Sequence, residues 1–278
     1  STYLDERFRG ESLAPSSQTK PNPRMPLYHL VGALHALTDP DVKERLQDGL
    51  PYTLGEWLVK DQLTHLKVKL NGNDAGWDFE RILAIDRVAT STAPRAFTYS
   101  LDFNEQCPNV EYLLEVLRRV KEKNAACFDR VAYVEQPTAR DLKAHPENKM
   151  HAAAKIKPVV VEGCLVDYES LLLSREQGYS GVALKSCKGQ SQSLLMAAAA
   201  QKFGMFLCVQ DLTCPGQSLL QSAGLAAHIG PVTAIEGNSR QYCPGANTSW
   251  AAKVPGVFTI RDGHIDTSAL GGLGLTTG

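Results

Sequence analysis

Short apolar runs, many of them β-branched, alternate with longer amphipathic stretches from about residue 27 to the end of the chain. Runs of this kind predict strands over Tyr28–Ala33, His65–Leu70, Phe97–Phe103, Val131–Glu135, Pro158–Glu162, Gly181–Lys185, Met205–Gln210 and Val232–Glu236. Helical periodicity lies between them. Tyr112–Asn124 places Leu113, Leu114, Val116, Leu117 and Val120 on one face with charges opposite. Tyr168–Gln177, the Ala-rich Ser191–Phe203, and Leu219–Ala227 read as further helices.

Strands alternating with helices imply an α/β fold with parallel strands and right-handed crossovers. Eight such units fit a (β/α)8 barrel. An open doubly wound sheet is the alternative. It would carry a Gly-rich phosphate loop after its first strand, and Gly32-Ala33-Leu34 is not one. Residues 1–26 are rich in Ser, Pro, Gly, Arg and Lys. With the loop signals Ser16-Ser17 and Pro21-Asn22-Pro23 they read as a short N-terminal arm, leaving 27–278 as the barrel.

Composition narrows the classes. The 278 residues carry 29 basic and 30 acidic side chains, a formal net charge of −1, with no long Lys/Arg run, so nucleic acid is not an expected partner. No apolar run approaches the roughly 20 residues needed to cross a bilayer, so no membrane role is expected. The seven cysteines are scattered, odd in number and form no C-x-x-C pair. They read as free thiols, mostly buried, in a reducing compartment, and the first residues carry no signal peptide. A cytoplasmic protein is expected. The missing initiator Met points to a processed or truncated product.

Barrel chemistry sits at the C-terminal strand ends. There the sequence supplies Lys67 and Lys69, then Asp102 with Asn104, Glu135, Glu162, Lys185, Asp211 and Glu236. From Lys69 onward the intervals are 33, 33, 27, 23, 26 and 25 residues, about one βα unit each. A lone carboxylate after a strand is often just a helix cap or a surface group, and Asp211 is the most open to that reading. In His65-Leu66-Lys67-Val68-Lys69-Leu70, period 2 turns both lysines into the barrel mouth and the apolar residues towards the helices. Two inward ammonium groups need anions, and structural ion pairing alone could supply the reason for them.

Asp102, Glu135 and Glu162 stand on consecutive strands and would repel one another unless a hard cation joined them. Oxygen donors without His or Cys favour Mg²⁺ over Zn²⁺. Lys69 and Lys185 come from opposite strands of an eight-stranded barrel. That arrangement suits removal of a proton α to a carboxylate, where cations must stabilise the enediolate. A lysine base needs its pKa lowered towards 7–8, and Lys67 is a candidate for the neighbouring cation.

These residues resemble the enolase superfamily, in its mandelate racemase/muconate-lactonizing-enzyme branch. Lys67-Val68-Lys69 is similar to the second-strand K-x-K motif, Asp102-Phe103-Asn104-Glu105 to the D-x-N segment, and Val134-Glu135-Gln136-Pro137 to E-Q-P. Val161-Glu162-Gly163 stands at the third ligand position, and Ala183-Leu184-Lys185 at the sixth-strand lysine. The closing Gly271-Gly272-Leu273-Gly274-Leu275 resembles the family's usual C-terminal run. The resemblance implies Asp102, Glu135 and Glu162 as Mg²⁺ ligands, and Lys69 and Lys185 as the acid/base pair assisted by Lys67. Substrate contacts are expected from Asn104, Asp211 and Glu236. It implies a small carboxylate substrate and a homo-oligomer. Racemisation or epimerisation is the leading expectation, and dehydration or cycloisomerisation of an acid sugar or related carboxylate the alternative.

Two departures stand out. Many members have Asp-Glu at the third ligand position, and here Glu162 is followed by Gly163. Residues 1–26 can supply only a remnant of the family's N-terminal capping domain. A non-catalytic metal- or carboxylate-binding barrel without its cap is therefore the alternative of another class. Cys164 and Cys187 read as packing residues rather than nucleophiles. His65 reads as a hydrogen-bonded core residue, and Trp57 and Trp77 as packing. Asn238 and Arg240, with Glu236, are expected at the barrel mouth.

Overall fold

The computed structural model describes residues 4–12, 17, 20–45, 48–271 and 275–276. Eight strands form a parallel barrel: β1 (Arg24–Val31), β2 (His65–Lys69), β3 (Thr98–Asp102), β4 (Val131–Glu135), β5 (Val159–Val161), β6 (Gly181–Leu184), β7 (Phe206–Gln210) and β8 (Ile235–Glu236). Each pairs in parallel with the next, and β1 closes the ring by pairing with both β2 and β8. A short β9 (His264–Asp266) runs antiparallel to the first residues of β1. All eight predicted strands are present. β1 starts at Arg24, inside the segment expected to be an arm.

Helices α1 (Leu54–Asp61), α2 (Ala75–Thr92), α3 (Val110–Lys123), α4 (Ala125–Arg130), α5 (His151–Ala154), α6 (Tyr168–Glu176), α7 (Gln190–Lys202) and α8 (Gln217–His228) surround the barrel. Their starts have local causes. Asn109 caps α3 by accepting from the Tyr112 backbone N–H, and Asp167 caps α6 with a capping box to Ser170. Leu113, Val116, Leu117 and Val120 of α3 are buried as its periodicity requires, whereas Leu114 lies at the edge of that face.

The strand pleat separates two cores. Leu66 and Val68 of β2 join the large apolar layer between barrel and helices. Tyr28, Tyr133, Val160, Ala183, Cys208 and Ala234 plug the barrel interior as a separate cluster. Gly181 is needed in that plug, because a Cβ there would meet Phe206 Cβ and Val160 Cγ2 at 2.9 Å. With its interior filled, the barrel can offer a site only at its ends.

The N-terminal arm is tied down at Phe8, which is 1% exposed and meets the Tyr168 and Phe203 rings edge-on at 6.0 Å each. Ser16 of the predicted loop and Gly272, Leu273 and Gly274 of the closing run lie outside the described residues. All seven cysteines are free. Cys107, Cys127 and Cys208 are buried, but Cys187 is exposed, which corrects the packing role expected of it. It sits on the turn after β6, which faces solvent. No helix among the described residues is long and apolar enough to cross a membrane.

Candidate active site

A cavity of about 410 Å³ opens at the C-terminal ends of the strands. Parallel register carries the charged residues to it at one level: Lys69 pairs with Asp102, Asp102 with Glu135, and Glu135 with Val160. Lys67, Lys69, Asp102, Asn104, Glu135, Glu162, Lys185 and Glu236 all line the cavity. β2 and β6 are four strands apart in either direction round the ring, so Lys69 and Lys185 approach it from opposite walls.

Lys67 is buried at the centre. Its Nζ donates to both oxygens of Glu135 at 2.8 Å and to Glu236 Oε2 at 2.5 Å, and lies 3.1 Å from Asp102 Oδ2. Burial alone would lower its pKa. The three carboxylates outweigh that, Glu135 and Glu236 most, and hold the ammonium well above the usual lysine value. Glu135 also accepts from Gln210 Nε2 at 2.5 Å. Burial, with Asp102 and Glu236 nearby, pushes the Glu135 carboxyl up against the pull of Lys67, whereas Lys67 and Lys69 hold Asp102 down against its burial.

Lys69 is ion-paired with Asp102 and donates to Asn104 Oδ1 at 3.1 Å. Asn104 in turn donates to the Leu70 carbonyl at 3.0 Å, so it orients the lysine. Lys185 is ion-paired with Glu162. Burial lowers the Lys185 pKa to about 8; Lys67 and Lys188 act in the same direction, against Glu135 and Glu236. The cationic influence expected of Lys67 therefore falls on Lys185, across the cavity.

Three non-glycine residues on the rim take left-handed backbone conformations: Asn104 (φ 52°), Glu105 (φ 66°) and Leu212 (φ 58°). Gln136 (φ 29°), which also lines the cavity, is a fourth. Such strain concentrates where side chains must be aimed. Gln136 shows what it achieves. Its Oε1 accepts from the Glu162 backbone N–H at 2.9 Å, and its backbone joins the Glu105 and Val160 peptides. Lys188 Nζ donates to the Glu162 carbonyl at 2.9 Å, so Glu162 is held from both sides.

The donor chemistry of Asp102, Glu135 and Glu162 suits a hard divalent cation: three carboxylates at the ends of consecutive strands, on one cavity. Among the described residues, however, no three His, Cys, Asp or Glu side chains converge closely enough to hold one. Each of the three carboxylates instead faces a lysine ammonium. Those ion pairs balance the charge of the three carboxylates.

Not every expected residue reaches the cavity. Asp211 does not line it. Its Oδ1 accepts from the Ser222 and Ser218 hydroxyls of α8 at 2.6 and 3.2 Å, so it is a buried tie to that helix, neither a substrate contact nor the helix cap or surface group expected otherwise. Arg240 is also drawn away. It is bonded to Asp61 at 2.5 Å and to His29 Nδ1 at 2.7 Å, and lies over the Trp57 ring. Asn238 does line the cavity and donates to Glu236 Oε1 at 2.9 Å. His65 is half-buried rather than in the core; it is bonded to Thr64 Oγ1 at 2.9 Å and burial lowers its pKa to about 4. Burial pushes the Cys164 thiol up to about 11, away from nucleophilic use. Among the lining residues not anticipated as site residues are Gln136 and Leu212, and Glu105 and Arg140, the last two bonded at 2.7 Å.

A family model described as enolase C-terminal domain-like matches residues 53–277. Solved structures share the fold. A mandelate racemase/muconate lactonizing protein from Herpetosiphon aurantiacus is 21% identical, with a TM-score of 0.61 over 84% of this chain and 60% of that one. The L-Ala-D/L-Glu epimerase from Bacillus subtilis is 17% identical, with a TM-score of 0.60 over 80% of this chain and 56% of that one. A muconate lactonizing enzyme from Pseudomonas fluorescens is 17% identical, with a TM-score of 0.62 over 91% and 61%. The chain thus spans about 60% of the length of these relatives. No curated protein matches it.

Proposed function

Because the chain belongs to the enolase C-terminal domain-like family, we propose that it catalyses Mg²⁺-dependent removal and return of a proton α to a carboxylate, as a racemase or epimerase. The observation that carries this reading is the placement of Lys69 and Lys185 on opposite strand ends of one cavity, with Asp102, Glu135 and Glu162 between them. Asp102, Glu135 and Glu162 are the proposed ligands. The cation they hold would supply positive charge where the substrate carboxylate gains negative charge.

The chain's own residues would do the proton work. A Lys185 pKa lowered to about 8 leaves a useful fraction of free amine near neutrality, so its Nζ can accept the α-proton on one face. Lys69, ion-paired with Asp102 and hydrogen-bonded to Asn104, returns a proton to the other face. Exchange of roles gives the reverse reaction. Lys67, with its charge fully compensated by carboxylates, fixes Glu135 and Glu236 rather than acting as base.

A second reading, dehydration or ring closure, draws on the polar lining of the cavity, where Leu30 and Leu212 are the apolar side chains. That lining suits a hydroxylated acid.

The test is α-proton exchange in D₂O, followed by proton NMR with Mg²⁺, over dipeptides, N-acyl amino acids and acid sugars. Exchange should vanish with EDTA, and Lys69→Ala and Lys185→Ala should each abolish epimerisation, leaving at most exchange of the one epimer that faces the remaining lysine. Retention of activity within a few-fold in both variants overturns the lysine pair. Unchanged mass and constitution of the product identifies epimerisation, and loss of water or ring closure the second reading. A protein that binds acids and Mg²⁺ without any exchange would be a non-catalytic barrel.

A further inference from the structure

We propose that Arg140 is the specificity-determining residue of this cavity, taking an oxygen acceptor, carbonyl or carboxylate, that the ligand carries away from its α-carboxylate. This rests on the reading that the cavity at the strand ends is the substrate site.

Arg140 lines the same cavity as Lys69 and Lys185. Its Nε donates to Glu105 Oε2 at 2.7 Å, and among the described residues its two terminal amino groups have no hydrogen-bond partner. Its side chain is 66% exposed, whereas that of Glu105 is 16% exposed. The guanidinium is therefore anchored along one edge and open along the other. A planar fork of this kind binds sp² oxygens in pairs. The nearby Lys188 is already committed, donating to the Glu162 and Leu165 carbonyls at 2.9 and 3.0 Å.

Two further features show that the pair is built for use. Glu105 adopts φ 66°, a conformation that non-glycine residues rarely take. Gly163 leaves the space the pair fills: a Cβ there would lie 2.4 Å from Glu105 Oε1 and 3.4 Å from Arg140 Cζ and Nε. An ion pair this exposed on its arginine side adds little stability. Backbone strain and a glycine that leaves room for the pair, for so small a return, are explained by recognition instead. Glu105 orients the guanidinium so that its free edge meets the ligand.

The experiment measures binding of three acids to the full chain by NMR titration with Mg²⁺ present: pentanoate, 4-oxopentanoate and glutarate. At least one of the oxygen-bearing acids should bind about tenfold more tightly than pentanoate, as expected for hydrogen bonds to a charged group. Which one does so separates a carbonyl acceptor from a carboxylate. Arg140→Met should erase that preference and leave pentanoate unchanged. Glu105→Gln, which keeps Arg140, should retain the preference. Equal affinity for all three acids, a folded R140M that still discriminates, or an E105Q that does not, overturns the proposal. Proton exchange plays no part in this readout, so failure of the chemistry and failure of the rim contact are separate results.

Discussion

The Nζ of Lys67 lies 2.8 Å from each carboxylate oxygen of Glu135, deep in the barrel mouth where both side chains are 2% exposed. Glu236 and Asp102 complete the shell around it. One buried cation thus keeps three buried carboxylates together. Lys67→Met removes the cation and leaves Glu135 and Glu236 uncompensated, which costs about 3–5 kcal/mol for a broken buried pair. Urea unfolding at pH 7 should show that loss. The deficit should shrink near pH 4, where Glu135, pushed up by burial, takes up a proton. A loss of equal size at both pH values would mean the lysine contributes packing rather than charge.

Gln136 fixes the third carboxylate without touching it. Its Oε1 receives the Glu162 backbone N–H at 2.9 Å, while its Nε2 donates to Tyr179 Oη at 3.2 Å. Gln136→Ala should release the Glu162 peptide and weaken binding at the proposed divalent-cation site. Supporting residues of this sort are worth about 10–100-fold in metal affinity. Mn²⁺ titration followed by electron paramagnetic resonance would measure it. Unchanged affinity in a folded variant would show that Lys188 holds Glu162 alone.

The barrel was legible because its signals are local. Each strand is a short apolar run, and from the second onward each leads to an ionisable residue about one βα unit from the last. The same logic placed Lys67, Lys69, Asp102, Asn104, Glu135, Glu162, Lys185 and Glu236 on one cavity. Other features lay beyond that reach. Helix α1 is announced by the capping box between Thr53 and Glu56 but has too few residues for a clear period. Asp211 sits at a strand end like the others, and only its distance to Ser222 of α8 reveals whom it serves. Glu105 and Arg140 are 35 residues apart, and neither the positive φ nor the space over Gly163 that joins them has a signature in composition.

Asp211 gives a pH signature separate from the lysines. It is 1% exposed, its Oδ2 has no hydrogen-bond partner, and burial raises its pKa from 3.8 to about 7, against the two serine hydrogen bonds. A carboxyl with a raised folded-state pKa favours folding while it stays protonated. Its contribution is complete below the unfolded value near 4 and is lost as pH rises to about 7. Asp211→Asn cannot ionise and should lose this dependence. The variant should therefore gain on the wild type by a few kcal/mol between pH 4 and pH 7.5, as read by urea unfolding at both values. Parallel curves for the two proteins would show that Asp211 stays ionised when buried.

Gly163→Ala separates recognition from folding at the rim. The added Cβ collides at 2.4 Å with Glu105 Oε1, the end of a flexible side chain, whereas its contacts to Arg140 Cζ and Nε are a milder 3.4 Å. The carboxylate can swing away, so the fold should lose no more than about 1 kcal/mol, the ordinary range for substitutions away from a core. The Glu105–Arg140 bond cannot survive that swing unchanged. Arg140 would then keep its charge but lose the anchor that aims its free edge. Affinity for 4-oxopentanoate or glutarate should fall towards that for pentanoate, while the unfolding midpoint barely moves. A variant that keeps its preference would show that Arg140 orients itself without Glu105. A large stability loss would instead mean that the glycine is there for the backbone of the loop after β5.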